Sequence, residues 1–501
     1  MSYLIKENKN LIKSIKITIL IILLLMSILG YLSYIGNKFY YIFFTLVSNY
    51  LIYFAFRKKV FFFETFFSIL LWLGFWFKFT VTISLTDGIF KEGVGDFSYR
   101  PEDFDQVIFV STIGILGFLI SGYVRQIFLF NYNIFEINNI FKSNFYEKNR
   151  IKILYSFLFI IIFIVFLNTY FKVYQRGLIS TSEINFIFEG TIKWLLLFGL
   201  ASISSIILYF EIINSKKISI ITIIIVLFES FLSSMSMLSR GMIFNSSSIL
   251  YGIYKFSKKY RDKLNIKKFL SYVIIMLSLF YISTITVNFL RVNYFYVGKS
   301  FINVDKDIRN LEELKEKKEK FLTEKKKINL IKSNSEIYYL MINRWVGIDP
   351  IMAMIDKRDK LSFKLLKKSF SERFNKNTPT FYEKTFNLEN DTNFKIYENV
   401  KGNTLMGIIG FLYYSGSLYF LFISIIFLSI IACFFEYLAF KLSFNNLIFS
   451  SLISQIIAFR YIHFGYLPHQ TYLLFVTIIL NILIVYILMK AFKYLVARNF
   501  I

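Results

Sequence analysis

Apolar residues in this chain arrive in runs, each closed by a short polar or charged cluster. The runs fall at about 17–35, 39–56, 61–83, 106–124, 153–171, 191–213, 218–237, 241–256, 269–289, 415–440, 446–462 and 470–490. A run of ~20 apolar residues is the length that spans the ~30 Å hydrocarbon core of a bilayer as a helix. In that core every backbone N–H and C=O must be satisfied within the segment, which selects helices. The pattern predicts an all-α fold: a polytopic membrane helix bundle of about twelve transmembrane helices. No small-residue cleavage site follows the first run, so it reads as a retained helix and not a signal peptide.

The polar clusters set an orientation. The N-terminus, 57–59, 125–152, 215–217, 257–268 and the C-terminal stretch are all basic. An even helix number puts these six segments on one side, which the positive-inside rule makes the cytoplasm. Both termini are then cytoplasmic. The opposite face receives 84–105, 172–190, the turn at Arg240, the turn at His463 and one large loop, 290–414. The chain thus divides into helices one to nine (1–289), a large, mostly helical extracytoplasmic loop with a re-entrant end (290–414), and helices ten to twelve (415–501). Within the loop, 308–332 is a charged helical stretch with a thin apolar stripe, read as a solvated helix or insertion.

Composition agrees. The 501 residues are 56% hydrophobic and 20% aromatic, with net charge +26. In a soluble protein that charge would suggest nucleic acid. Here lysines at helix ends explain it through topology and anionic lipid, and no nucleic-acid partner is expected. The single cysteine, Cys433, and two histidines, His463 and His469, offer neither a disulfide framework nor a zinc site. No Walker A, GxSxG, HExxH or Rossmann fingerprint occurs, nor the acidic pair that holds a metal in nucleotide-sugar transferases. No cofactor and no metal are expected.

Arginine is scarce, 14 against 44 lysines. A guanidinium grips phosphate with a planar fork, while an ammonium acts as a point charge. Three arginines fall near the outer face: Arg240 beside Gly241, Arg291 at the end of helix nine, and Arg344 in "NRWVGIDP". Gly241 would allow close approach of a ligand. Arg176 in "VYQRGLIS" sits in an outer loop, suited to an anionic lipid head. Asp349 and Glu336 flank Arg344, as ion-pair partners or as a general base. Arg460 and His463 share an outward turn, where a histidine suits deprotonation of a sugar hydroxyl. Lys78, late in helix three, is expected to snorkel to the headgroups. Glu229, inside helix seven, needs a partner or a cavity.

The helix number, the inside termini and the dominant late outer loop resemble the O-antigen polymerases of the Wzy type, near the enterobacterial-common-antigen branch. Locally the resemblance rests on "LSRGMIF" (238–244), the segment 344–354 and "GNTLMGIIGFLYYSGS" (402–417). The insert 308–332 departs from that pattern. The resemblance implies a GT-C-like glycosyltransferase of the bacterial inner membrane. Such enzymes transfer a growing polymer from undecaprenyl diphosphate to a new lipid-linked repeat unit, alongside membrane lipids and a chain-length regulator. It implies catalytic roles for Arg240, Arg291 and Arg344; the acceptor hydroxyl then needs a base, for which Asp349, Glu336 and His463 are the candidates in that order. Three rivals stay open, one of them a structural or assembly protein of the envelope. An O-antigen ligase usually carries a loop histidine, and 290–414 has none. A lipid-linked oligosaccharide flippase has short loops and internal repeats, neither of which is evident here.

Overall fold

The computed structural model describes residues 2–57, 60–85, 88, 90, 93–129, 142–176, 185–215, 219–239, 241–259, 266–292, 345–372, 380–388, 405–464 and 471–498. Among these no strand occurs. The helices are α1 (Ser2–Ser33), α2 (Lys38–Ala55), α3 (Phe62–Leu85), α4 (Pro101–Val124), α5 (Asn144–Phe171), α6 (Phe186–Trp194, continuing through Leu200–Ser215), α7 (Ile220–Ser236), α8 (Met242–Lys259) and α9 (Ile266–Val292). Four short helices follow: α10 (Ile348–Asp356), α11 (Phe363–Ser369), α12 (Phe381–Thr385) and α13 (Gly407–Tyr413). The last three are α14 (Leu418–Leu442), α15 (Leu447–Ile462) and α16 (Thr471–Arg498).

Each of the twelve apolar runs lies on a helix. Among the described residues seven helices are long and apolar enough to cross a membrane: α3, α4, α5, α6, α9, α14 and α16. Outer helices show large apolar side chains to their surroundings, among them Leu32, Phe159, Phe166, Ile274, Phe289, Phe427 and Ile487. Exposed apolar surface of this extent marks a face turned to lipid or to another protein.

The centre of the bundle is α15. It is buried along almost its whole length and is packed by α3, α6, α8 and α14. Its approach to α8 depends on small residues. A Cβ on Gly252 would stand 2.8 Å from the Ile448 Cα, and the Ser451 hydroxyl donates to the Ser248 carbonyl at 2.7 Å. Without a strong hydrophobic drive between helices in lipid, close backbone contact and hydrogen bonds of this kind hold them together.

Among the described residues three π-turns occur, at Leu73–Phe77 in α3, Arg125–Leu129 after α4 and Leu195–Gly199 in α6. A π-turn widens the helix and frees backbone groups, and such turns gather at functional sites. The first lets Gly74 meet Gly347 backbone to backbone, since a Cβ on either glycine would overlap the other strand of chain. This seats the stretch before α10 against α3. Immediately beyond, Lys78 pairs with Asp349 and donates to the Trp345 carbonyl at 3.2 Å. Lys78 therefore does not snorkel: it is buried, because Asp349 neutralises it where it stands.

At the opposite ends of these helices two more carboxylates are held by arginines. Arg125 grips Glu64 through Nε at 2.6 Å and Nη2 at 2.8 Å. Arg150 grips Glu211 through Nε at 2.9 Å and Nη2 at 2.6 Å, with the Tyr146 hydroxyl donating at 3.0 Å. Glu436 of α14 caps the start of α3, accepting the Phe62 and Phe63 N–H groups at 2.9 and 2.7 Å. A carboxylate is favoured there by the positive end of the helix dipole.

Candidate functional site

A cavity of about 220 Å³, partly open, lies among α6, α7, α8, α15 and the segment after α5. Its wall begins with α7. Glu229, Ser230, Ser233, Ser234 and Met237 recur at one helical face and turn it polar inside an apolar helix. The Glu229 carboxylate accepts from the Ser230 hydroxyl at 3.2 Å and the Ser233 hydroxyl at 3.0 Å.

The end of α7 is closed by a Schellman motif. Leu238 stands in the left-handed region at φ 49°. Its N–H donates to the Met235 carbonyl at 3.0 Å, and the Ser239 N–H donates to the Ser234 carbonyl at 2.8 Å. The motif satisfies the last carbonyls of the helix and reverses the chain into Ser239 and Gly241, both on the cavity wall. The Gly241 N–H donates to the Ser239 hydroxyl at 3.1 Å.

A single asparagine ties the segment after α5 to this turn. Asn168 is fully buried. Its Oδ1 accepts the Tyr174 N–H at 2.8 Å, and its Nδ2 donates to the Ser236 carbonyl at 2.9 Å and the Tyr174 carbonyl at 3.2 Å. The Arg176 N–H then donates to the Met237 carbonyl at 2.9 Å. Arg176 is thereby fixed beside Gly241, where a Cβ would stand 3.9 Å from its Nη1.

The facing wall comes from α15 and the π-turn of α6. Arg460 donates from Nη1 to the Thr477 hydroxyl at 3.1 Å, and its guanidinium stands 5.2 Å from the Phe198 ring centre. The Arg176 guanidinium stands 5.8 Å from the Phe459 ring. Asn245 of α8 donates to the Leu197 carbonyl at 3.4 Å, in the π-turn. Gln455, 3% exposed, lines the cavity one turn before Phe459, and its Oε1 has no hydrogen-bond partner among the described residues. The cavity thus joins two guanidiniums, one carboxylate, several hydroxyls and two amides.

Of the residues singled out from sequence, Arg176, Gly241, Arg460 and Glu229 line this one cavity. His463 stands just outside it, its ring stacked on Phe459 at 4.0 Å. Its Nδ1–H donates to the Phe459 carbonyl at 2.9 Å, which leaves Nε2 as the acceptor. Burial, opposed by the Phe459 hydrogen bond and assisted by the Arg176 charge, pulls its pKa down to about 4. Asp349 does not line the cavity and is engaged by Lys78. Arg240, Arg344, Glu336, His469 and the stretch 308–332 lie outside the described residues. Arg291 is in the last turn of α9, with its side chain outside them.

Sequence reading missed Asn168, Asn245 and Gln455. Each is a neutral amide in an apolar run, costly there without a partner, and that was the available signal. It also passed over the serines of "ESFLSSMSMLS" (229–239), whose spacing from Glu229 matches one helical turn. No protein-family model matches the chain, and no curated protein or solved structure matches it either.

Proposed function

We propose that this chain is a membrane glycosyltransferase that joins undecaprenyl-diphosphate-linked oligosaccharide repeat units into O-antigen or another surface polysaccharide. In this reading it crosses the bacterial inner membrane twelve times, with both termini in the cytoplasm and the cavity served from the outer face. One observation carries it: Arg176 and Arg460 line one polar cavity beside the turn that holds Arg240 in sequence.

The chemistry follows from the donor. An acceptor hydroxyl oxygen attacks the anomeric carbon of the lipid-linked sugar. The bond from that carbon to the diphosphate oxygen breaks, and its electron pair leaves with the diphosphate. Guanidiniums held in place beforehand stabilise the growing negative charge without reorganising. Remaining lipid-side binding orients the two sugars. The hydroxyl proton needs an acceptor, and His463, neutral and beside the cavity wall, suits that task better than Asp349, which Lys78 already holds.

The test is in cells that make the polymer. Arg240→Ala and Arg291→Ala are each expected to shorten or abolish the polymer ladder while single repeat units remain on lipid. Ladders of ordinary length in both variants would contradict the mechanism. A second reading, a lipid-linked oligosaccharide flippase, draws on Glu229, an acid midway along an apolar helix and facing a cavity. It predicts instead that inactive variants strand repeat units on the cytoplasmic face.

A further inference from the structure

The polar groups of the cavity are sorted by type. Arg176 and Arg460 supply donors and positive charge. Glu229, Ser230, Ser233 and Gln455 supply the opposite. An ionised carboxylate offers about four acceptor sites, and the two serine hydroxyls take one on each oxygen of Glu229. Both serine protons are spent in doing so, so these hydroxyls have only lone pairs left to offer. Gln455 Oε1 is buried with no donor facing it among the described residues. An unsatisfied buried acceptor costs roughly 1–3 kcal/mol. The free protein thus maintains a set of acceptors in want of donors.

We infer that Glu229 and Gln455, with Ser230 and Ser233, form a subsite that binds the hydroxyl groups of a sugar ring whose phosphate is held by Arg176 and Arg460. Glu229 accepts from the hydroxyls of such a ligand while the guanidiniums draw its anionic end, which fixes the direction in which it enters. The cavity, about 220 Å³ and partly open, has room for a polar ligand beside the guanidiniums. The acceptors and the guanidiniums share this one cavity, so the subsite reads the sugar next to the phosphate. A site built to hydrogen-bond hydroxyls rejects an analogue without them, because its own buried groups are then left unpaired. The inference rests on the reading of the cavity as a sugar-phosphate site, but it concerns recognition and not transfer.

The experiment compares glucose 1-phosphate, cyclohexyl phosphate and inorganic phosphate for binding to the purified full chain in detergent. The two ring phosphates share the monoester and the six-membered ring, and the cyclohexyl compound lacks every hydroxyl, the hydroxymethyl group and the ring oxygen. The wild type is expected to bind glucose 1-phosphate at least tenfold tighter than cyclohexyl phosphate. Glu229→Gln and Gln455→Leu are expected to reduce that preference severalfold, whereas Arg460→Ala weakens both ring phosphates alike. Gln455→Leu also carries a readout that a packing role would not give: a higher melting temperature without ligand together with a lost preference. It keeps the test alive should Glu229→Gln fail to fold. Equal binding of the two ring phosphates by the wild type, or a preference that survives Gln455→Leu, would overturn the inference. A chain that discriminates between them yet forms no polymer sustains this subsite and counts against the polymerase alone.

Discussion

Lys78 of α3 and Asp349 of α10 form an ion pair across 271 positions of sequence, with side chains 4% and 9% exposed. Three observations lie within a few residues of it: the π-turn at Leu73–Phe77, the Gly74–Gly347 contact and the Lys78 bond to Trp345. Together they clamp the segment that leads into α10 onto the bundle. Removing one partner would leave a buried charge without compensation, which costs about 3–5 kcal/mol, whereas replacing both by apolar groups is often neutral.

Lys78→Met is therefore expected to lower the melting temperature of the purified protein sharply, and Lys78→Met with Asp349→Leu to recover most of it. The double variant also separates two roles for Asp349. If the carboxylate serves only the clamp, polymer formation returns with stability. If the protein is again stable but inactive, Asp349 is part of the chemistry.

Asn168 never touches the cavity, yet it holds the Tyr174–Arg176 strap to the end of α7. Asn168→Leu leaves the Tyr174 N–H and the Ser236 carbonyl without this partner, at about 1–3 kcal/mol each. It is expected to weaken binding of inorganic pyrophosphate severalfold, because Arg176 loses its fixed position. A titration of pyrophosphate at a temperature where the variant is fully folded checks this. Unchanged affinity would mean that Arg176 does not need the strap.

Gly241 is not in the left-handed region, so a side chain there meets no backbone strain. A Cβ would come 3.1 Å from the Ser239 hydroxyl and 3.9 Å from Arg176. Gly241→Ala is expected to be tolerated, with a small fall in activity. Gly241→Val pushes methyl groups toward the guanidinium and is expected to lower transfer at least tenfold while the melting temperature changes little. Full activity in Gly241→Val would place the ligand away from this turn.

His463 gives the account a pH signature. Its pKa is depressed from 6.5 to about 4 in the fold. The unfolded chain therefore binds the proton more readily between these values, and linkage makes stability fall as pH drops through that window. The contribution is fully present above about 6.5 and is lost as pH falls through about 4. Melting temperature should decline over this range in the wild type and less steeply in His463→Gln. If the two melting curves run parallel, burial of the neutral imidazole is not what shapes the acid limb.

Much of the architecture was legible because lipid imposes a local rule. A segment that must satisfy its own backbone shows an apolar run, and all twelve runs are helices. The polar residues that interrupt those runs were legible as anomalies, and Arg176, Glu229 and Arg460 do share one cavity. Their partners were not, because pairing is set by how helices cross. Asp349 meets Lys78 from the far end of the sequence, and nothing local distinguishes that partner from the neighbouring Arg344. The π-turns left no trace either, since "LGFWF", "RQIFL" and "LLLFG" share only leucine and phenylalanine, which are common throughout the chain. The Schellman turn hid behind its residue choice: the left-handed position usually held by glycine is Leu238, buried at 2% exposure.

The central claim is that Arg176 and Arg460 receive a departing lipid diphosphate, and reconstitution tests it most directly. The purified chain would be placed in liposomes with a radiolabelled, undecaprenyl-diphosphate-linked repeat unit, and products followed by size. The account predicts a ladder of polymer with release of undecaprenyl diphosphate, and a rate lower by on the order of 10²–10³ in Arg176→Ala or Arg460→Ala. A ladder formed at the ordinary rate by both variants, with the protein folded, would contradict it.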